Sequence, residues 1–351
     1  MNEAFDDKHG TLNSSLERGW DSSEPFNPQV MFINEADRLL EKGIEQYQIR
    51  DYDHALESLQ HALDHYRMAH HYQGEGKVLG ALGLVYYALG NYTEAIAQCH
   101  QSLAIARQQG DRRTERQALG TLGNAYRHQE DFPRAISYKL ESLNLSRELK
   151  DYRGEVAALN NLGMAYKAMG DCETAIAYYE QSLEIVRKQG DRIVEGQILR
   201  NLGNAYHSLE LYPETIRCYE QLLSIMRELQ DHRAEGQVLK NLASLCSLIG
   251  DMGTAISYHQ QRLAVARVTR DWRGQEQTLE SLGMLYDSIG EYEKAIQYFE
   301  QRLILARSIQ DNDLEKHTIE SLTNLCYTLG DYSRLTQYEV SDTSDKADAG
   351  H

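Results

Sequence analysis

The chain has 351 residues, 41% of them hydrophobic, and a formal net charge of −17. That is enough to bury a core in one long domain or two. The acidic excess excludes nucleic acid as the main partner and disfavours anionic membrane surfaces, because both need a cationic face. Five cysteines, Cys99, Cys172, Cys218, Cys246 and Cys326, form no C-x-x-C pair and are odd in number, which fits a reduced, cytoplasmic protein.

Residues 1–33 carry six acids (Glu3, Asp6, Asp7, Glu17, Asp21, Glu24) against Lys8 and Arg18, with little periodicity, and are expected to form a disordered acidic tail. The first residues lack an apolar run, so no signal peptide is expected. No stretch of the chain approaches the roughly 18 apolar residues of a membrane helix, so direct membrane insertion is not expected.

From about residue 34 the chain repeats itself. Leu82-Gly83 recurs as Leu122-Gly123, Leu162-Gly163, Leu202-Gly203 and Leu282-Gly283, with Leu242-Ala243 and Leu322-Thr323 in the same register, at steps of 40 residues. Asp111, Asp151, Asp191, Asp231, Asp271 and Asp311 keep that period, as do Ala95, Ala135, Ala175, Ala255 and Ala295. Seven full repeats and a truncated eighth are expected over 34–338, followed by a polar, disordered tail at 339–351.

Each repeat reads as two helices, A and B. In the third, Asp111 is placed to cap helix A, and Leu119, Leu122, Gly123 and Tyr126 share one helical face. The segment "QEDFPRA" interrupts the pattern; Asp131 can cap helix B, with Pro133 in its first turn, where a missing N–H costs little. Ile136, Leu140 and Leu143 follow at helical spacing. Gly110 and Gly190 stand where helix B ends.

Leu82-Gly83-Tyr86-Ala95 and Leu162-Gly163-Tyr166-Ala175-Tyr179 resemble the tetratricopeptide repeat, in a longer 40-residue form similar to the Pins/LGN adaptors and the kinesin light chains. The resemblance implies an all-α helix-turn-helix solenoid, a right-handed superhelix, in which the small Ala of helix B faces the Gly of helix A. Stacked repeats would share one continuous core. The cysteines fall in Tyr registers and are expected to pack there. His61 and His65 lie at i, i+4 but in different registers, one polar and one apolar, so no metal site is expected. No nucleophile-base-acid set, phosphate loop or H-E-x-x-H occurs, so neither catalysis nor a cofactor is expected.

The face of helix A opposite the Leu-Gly-Tyr seam is the candidate site. In tetratricopeptide arrays, which the chain resembles, that face lines the concave groove. It offers Gln117, Asn124 and Arg127, then Asn160, Asn161 and Lys167, then Arg200, Asn201, Asn204 and His207, then Lys240, Asn241 and Ser244. It then turns acidic with Glu280, Asp287 and Glu320. Amides can hold an extended peptide backbone and cations its carboxylates. Two roles compete for these residues: binding a peptide, or bridging adjacent helices as a solvated asparagine ladder. The expected function is a non-catalytic adaptor for a protein or peptide partner, taking an extended, partly acidic segment, with a basic portion at the acidic end. An assembly or chaperone-type factor and a peptide-responsive regulatory sensor are the alternatives. The oligomeric state is left open.

Overall fold

Proline at the first position of a helix loses nothing, because that N–H has no intrahelical acceptor in any case. The first helix starts on such a residue. A computed structural model describes residues 28–334 and Tyr338, and its elements among these are all helical. They are α1 (Pro28–Gln48), α2 (Tyr52–Met68), α3 (Tyr72–Ala88), α4 (Tyr92–Gln109), α5 (Arg112–His128), α6 (Phe132–Glu148), α7 (Tyr152–Ala168) and α8 (Cys172–Gln189). Then come α9 (Arg192–Ser208), α10 (Tyr212–Glu228), α11 (His232–Leu248), α12 (Met252–Val268), α13 (Trp272–Ser288), α14 (Tyr292–Ile309) and α15 (Asn312–Leu329). Successive pairs are helices A and B of one repeat, and α15 is helix A of the eighth. Residues 28–33, expected in the N-terminal tail, are helical and belong to α1. Both tails otherwise lie outside the described residues.

The boundaries follow from capping. Asp151, Asp191, Asp231, Asp271 and Asp311 each accept the backbone N–H three residues on, at 2.9–3.1 Å. Asp131 does the same for α6, with Pro133 in the first turn. Helices end through left-handed residues, Gly110 at φ 69° and Gly190 at φ 70° among them. Where glycine is missing, Arg50, His70, Glu130, Lys150, Glu210, Gln230, Arg270 and Gln310 adopt φ between 51° and 65°. An ion pair spans several of these turns from the end of helix B to the next helix A. Arg147–Glu155, Arg187–Glu195 and Arg227–Glu235 lie at 2.8 Å, and Arg307–Glu315 at 2.6 Å.

The chain divides into two compact bodies, 1–114 and 115–351. In the first, Leu59, Leu63, Tyr66, Val78, Leu79 and Leu82 lie in one core built from α1–α3. In the second, one cluster runs from Val156 to Leu245 and another from Ile256 to Tyr338. All five cysteines are buried, Cys218 and Cys326 within these clusters.

The helix A glycine is a notch, but its occupant is not the expected alanine. The side chain sixteen positions on fills it. A Cβ on Gly203 would lie 2.8 Å from Cε1 of Tyr219, one on Gly283 2.6 Å from Phe299, and one on Gly123 2.7 Å from Cγ of Lys139. Leu59, Cys99 and Tyr179 fill the notches of Gly43, Gly83 and Gly163. The alanine of this register is buried, and the carbonyls of Ala55 and Ala95 lie 3.5 and 3.4 Å from a Cβ on Gly43 and Gly83. The notch has to admit a whole side chain, which is why a helix interior tolerates glycine there despite its cost of about 1 kcal/mol.

Candidate peptide-binding face

Helix A presents every third or fourth residue to the same side, so a polar row along it is a built surface. In the second body, Lys167 from α7, Asn204 and His207 from α9, and Asn241 and Ser244 from α11 line one concavity of about 520 Å³. Tyr219 reaches the same concavity from helix B, and its hydroxyl donates to Asn204 Oδ1 at 2.5 Å. That bond occupies the amide oxygen of Asn204 and leaves its Nδ2 donors without a protein acceptor among the described residues. Burial pulls the Lys167 amine below its ordinary pKa. The ring of His207 meets Tyr212 edge-on, with centroids 6.0 Å apart.

Asn160 and Asn161 line a separate concavity of about 590 Å³, with Lys150, Arg153 and Asp191 on its rim. Asn201 Nδ2 donates to Asn160 Oδ1 at 3.0 Å, tying α9 to α7, and Asn161 Nδ2 returns to the Ala157 carbonyl at 2.8 Å. These three amides therefore serve the scaffold. Asn241 accepts from Gln237 Nε2 at 3.0 Å on its own helix.

Gln117, Asn124, Arg127, Arg200, Asn201 and Lys240 line neither concavity. Gln117 is exposed; Asn124 and Arg127 are half-buried. Asn124 Oδ1 and Arg127 Nε are buried without a partner among the described residues. Arg200 and Lys240 are exposed and make no ion pair among the described residues, while Arg187, Arg192 and Arg227 on the same body all do.

The acidic residues are partly engaged within the protein. Glu280 accepts from Nη2 of the buried Arg302 at 2.8 Å, and Glu276 from the same atom at 2.6 Å. One guanidinium thus serves two carboxylates, and the Glu280 side chain stays 44% exposed. Asp287 is exposed, and Glu320 lies 3.6 Å from His317. Tyr219 was not anticipated in the site, because it belongs to helix B; its spacing of sixteen from the notch glycine is the signal that reveals it.

Among the described residues no helix is long and apolar enough to cross a membrane, and no group of three or more His, Cys, Asp or Glu is placed to hold a metal. Family models for the tetratricopeptide repeat match residues 74–148, 114–188 and 194–267, and a further one matches 278–313. No curated protein matches. Among solved structures, the chain is similar to a signal transduction ATPase with numerous domains that carries a tetratricopeptide repeat sensor, from Pyrococcus horikoshii. The identity is 16% and the TM-score 0.66, over 83% of this chain and 46% of that one, so this chain spans less than half of that protein. It is also similar to the apo form of RapI (16% identity, TM-score 0.55, 79% and 99% of the two chains). A Rap protein complexed with competence and sporulation factor aligns at 15% identity and TM-score 0.51, over 79% and 76%. With its 40-residue frame, its helix pairs and family matches over most of its length, the chain belongs to the tetratricopeptide repeat family.

Proposed function

We propose that this protein is a scaffold that holds an extended, partly acidic peptide segment of a protein partner on the helix A face of its fourth to sixth repeats. One observation carries this. Lys167, Asn204, His207, Asn241 and Ser244 converge from three repeats on one concavity, and α9 and α11 also carry two cations, Arg200 and Lys240, that lack carboxylate partners among the described residues. An acidic protein that leaves these two cations unpaired favours a ligand that supplies the carboxylates. The Oδ1 atoms of Asn204 and Asn241 are taken by Tyr219 and Gln237, which leaves their Nδ2 donors for peptide carbonyls, and the Asn160–Asn201 bond ties α7 to α9.

The test is selection from a random peptide library displayed on phage, using the whole chain and the variant Arg200→Glu/Lys240→Glu. The wild type is expected to enrich peptides rich in Asp and Glu, with binding that weakens as salt rises. The variant is expected to lose them by tenfold or more. Enrichment of the same peptides, at the same affinity, by both proteins would overturn the assignment.

A further inference from the structure

One register of helix B packs back on helix A of its own repeat. It holds serine in three repeats. Ser142 Oγ donates to the Arg116 carbonyl at 3.3 Å and Ser182 Oγ to the Val156 carbonyl at 3.2 Å; Ser102 donates to Gly76 at 2.7 Å. In the sixth and seventh repeats the register holds arginine, Arg262 and Arg302, which are 8% and 5% exposed. A buried guanidinium needs a counter-charge to offset its lost hydration. Arg302 has one in Glu276 and Glu280.

Arg262 does not. Where the seventh repeat has Glu276 and Glu280, the sixth has Gly236 and Lys240. Nη2 of Arg262 donates to the neutral Gln277 Oε1 at 3.1 Å, and its other nitrogens find no acceptor among the described residues. The turn that follows also lacks its ion pair: Gln275 stands in the register of Glu235 and donates to the Ala266 carbonyl at 3.2 Å. A Cβ built on Gly236 meets nothing within 4 Å. The space is a concavity of about 480 Å³ between the starts of α11 and α13 and the end of α12. Arg233 and Arg273 join Arg262 in its lining, and neither makes a hydrogen bond or ion pair among the described residues. His232 also lines it, with Nδ1 3.3 Å from Glu235. Asp271 is the carboxylate of the lining, and its Oδ1 is engaged by the Gly274 N–H at 2.9 Å.

We propose that this concavity is a binding site for a phosphoryl dianion, presented as a phosphate monoester on a peptide side chain or as free phosphate, with Arg262 at its floor and Arg233 and Arg273 at its rim. Three guanidinium groups against one carboxylate leave a charge of about +2, which balances a phosphoryl group at pH 7 and exceeds a carboxylate. Guanidinium N–H donors suit phosphoryl oxygens in geometry as well as charge. The site takes the place of the two glutamates that Arg302 has and Arg262 lacks. It is separate from the concavity lined by Lys167 and Asn204.

Calorimetric titration of the full chain, at fixed ionic strength in chloride, tests this with two probes. One is inorganic phosphate; the other is a capped Ala-Ala-phosphoserine-Ala-Ala peptide, with its Ser and Glu counterparts as controls. The phosphoserine peptide is expected to bind at least tenfold more tightly than either control. Gly236→Glu, which rebuilds a carboxylate partner of the Arg302 kind, is expected to weaken it at least tenfold, and so is Arg262→Ser, the residue of the same register in other repeats. Inorganic phosphate binding as tightly as the peptide, with the same loss in both variants, would support the site and assign free phosphate as its source. Binding by neither probe, or binding unaffected by Gly236→Glu, would overturn the proposal. Gly236 contributes no group to the peptide face, so this result stands apart from the phage selection.

Discussion

Lys139 occupies the notch of Gly123, where the other repeats place Leu59, Cys99, Tyr179, Tyr219 or Phe299. It is 4% exposed, and its Nζ makes a 2.6 Å hydrogen bond to the Gly120 carbonyl. An ammonium has three donors, so the charged form is poorly satisfied there. Burial, with the charges of Arg127 and Arg116 adding to it, pulls its pKa from 10.5 down to about 7. Between these values the unfolded chain holds a proton that the folded chain lacks. Stability therefore rises with pH across this window, by up to about 1.4 kcal/mol per pH unit. Below about pH 7 both states are protonated and the penalty is constant; above 10.5 both are neutral and it vanishes. The shift of 10.5 − 7 = 3.5 units sets a ceiling of about 5 kcal/mol. Lys139→Leu, which supplies the notch with the side chain Leu59 provides in the first repeat, removes the titration. The assay is urea unfolding followed by circular dichroism at several pH values from about 7 to 10. The variant is expected to be the more stable near neutrality, by about 3–5 kcal/mol, with the gap closing as pH rises. Parallel stability curves for the two proteins would refute the reasoning, since a gap that ignores pH cannot come from a proton.

Two helical glycines should respond to alanine with opposite signs. Gly203→Ala drives a methyl toward Tyr219 and loosens its bond to Asn204, for a loss of about 1–3 kcal/mol, while Gly236→Ala enters open space and gains about 0.4–1 kcal/mol; thermal melts of both variants check the pair. Glu276→Gln with Glu280→Gln strips the buried Arg302 of its counter-charges and should cost about 3–5 kcal/mol in the same measurement.

The fold was legible because its determinants recur. A cap, a notch glycine and a seam leucine each return at the same spacing, so every repeat confirms the others. The occupant of the notch was harder to see: Leu59, Cys99, Lys139, Tyr179 and Tyr219 share a place but are of four residue types, and packing defines it. The polar face was found as a row, but hydrogen bonds then divided it. Asn201 looks like Asn204 in sequence, yet one ties two helices together and the other lines a concavity. Glu280 read as an unpaired acid because its partner Arg302 lies on the opposite helix, in a register where three repeats carry serine. Arg262 escaped notice for the same reason: its isolation depends on Gly236 and Lys240, two distant positions whose absent carboxylates become meaningful only beside Arg302. The start of α1 at Pro28 was hidden because proline, a breaker inside helices, is at home in the first turn.

The left-handed turns have a consequence for how the array could be strengthened. Arg50, His70, Glu130, Lys150, Glu210, Gln230, Arg270 and Gln310 are all exposed, and each holds a backbone conformation that side chains resist by about 1 kcal/mol. The protein therefore sits below the stability its own architecture permits, with the shortfall spread in small parcels along its length. In a stack where each repeat touches only its neighbours, such parcels add nearly independently. Glycine could be introduced one turn at a time, stiffening a chosen repeat while the polar face of helix A stays as it is.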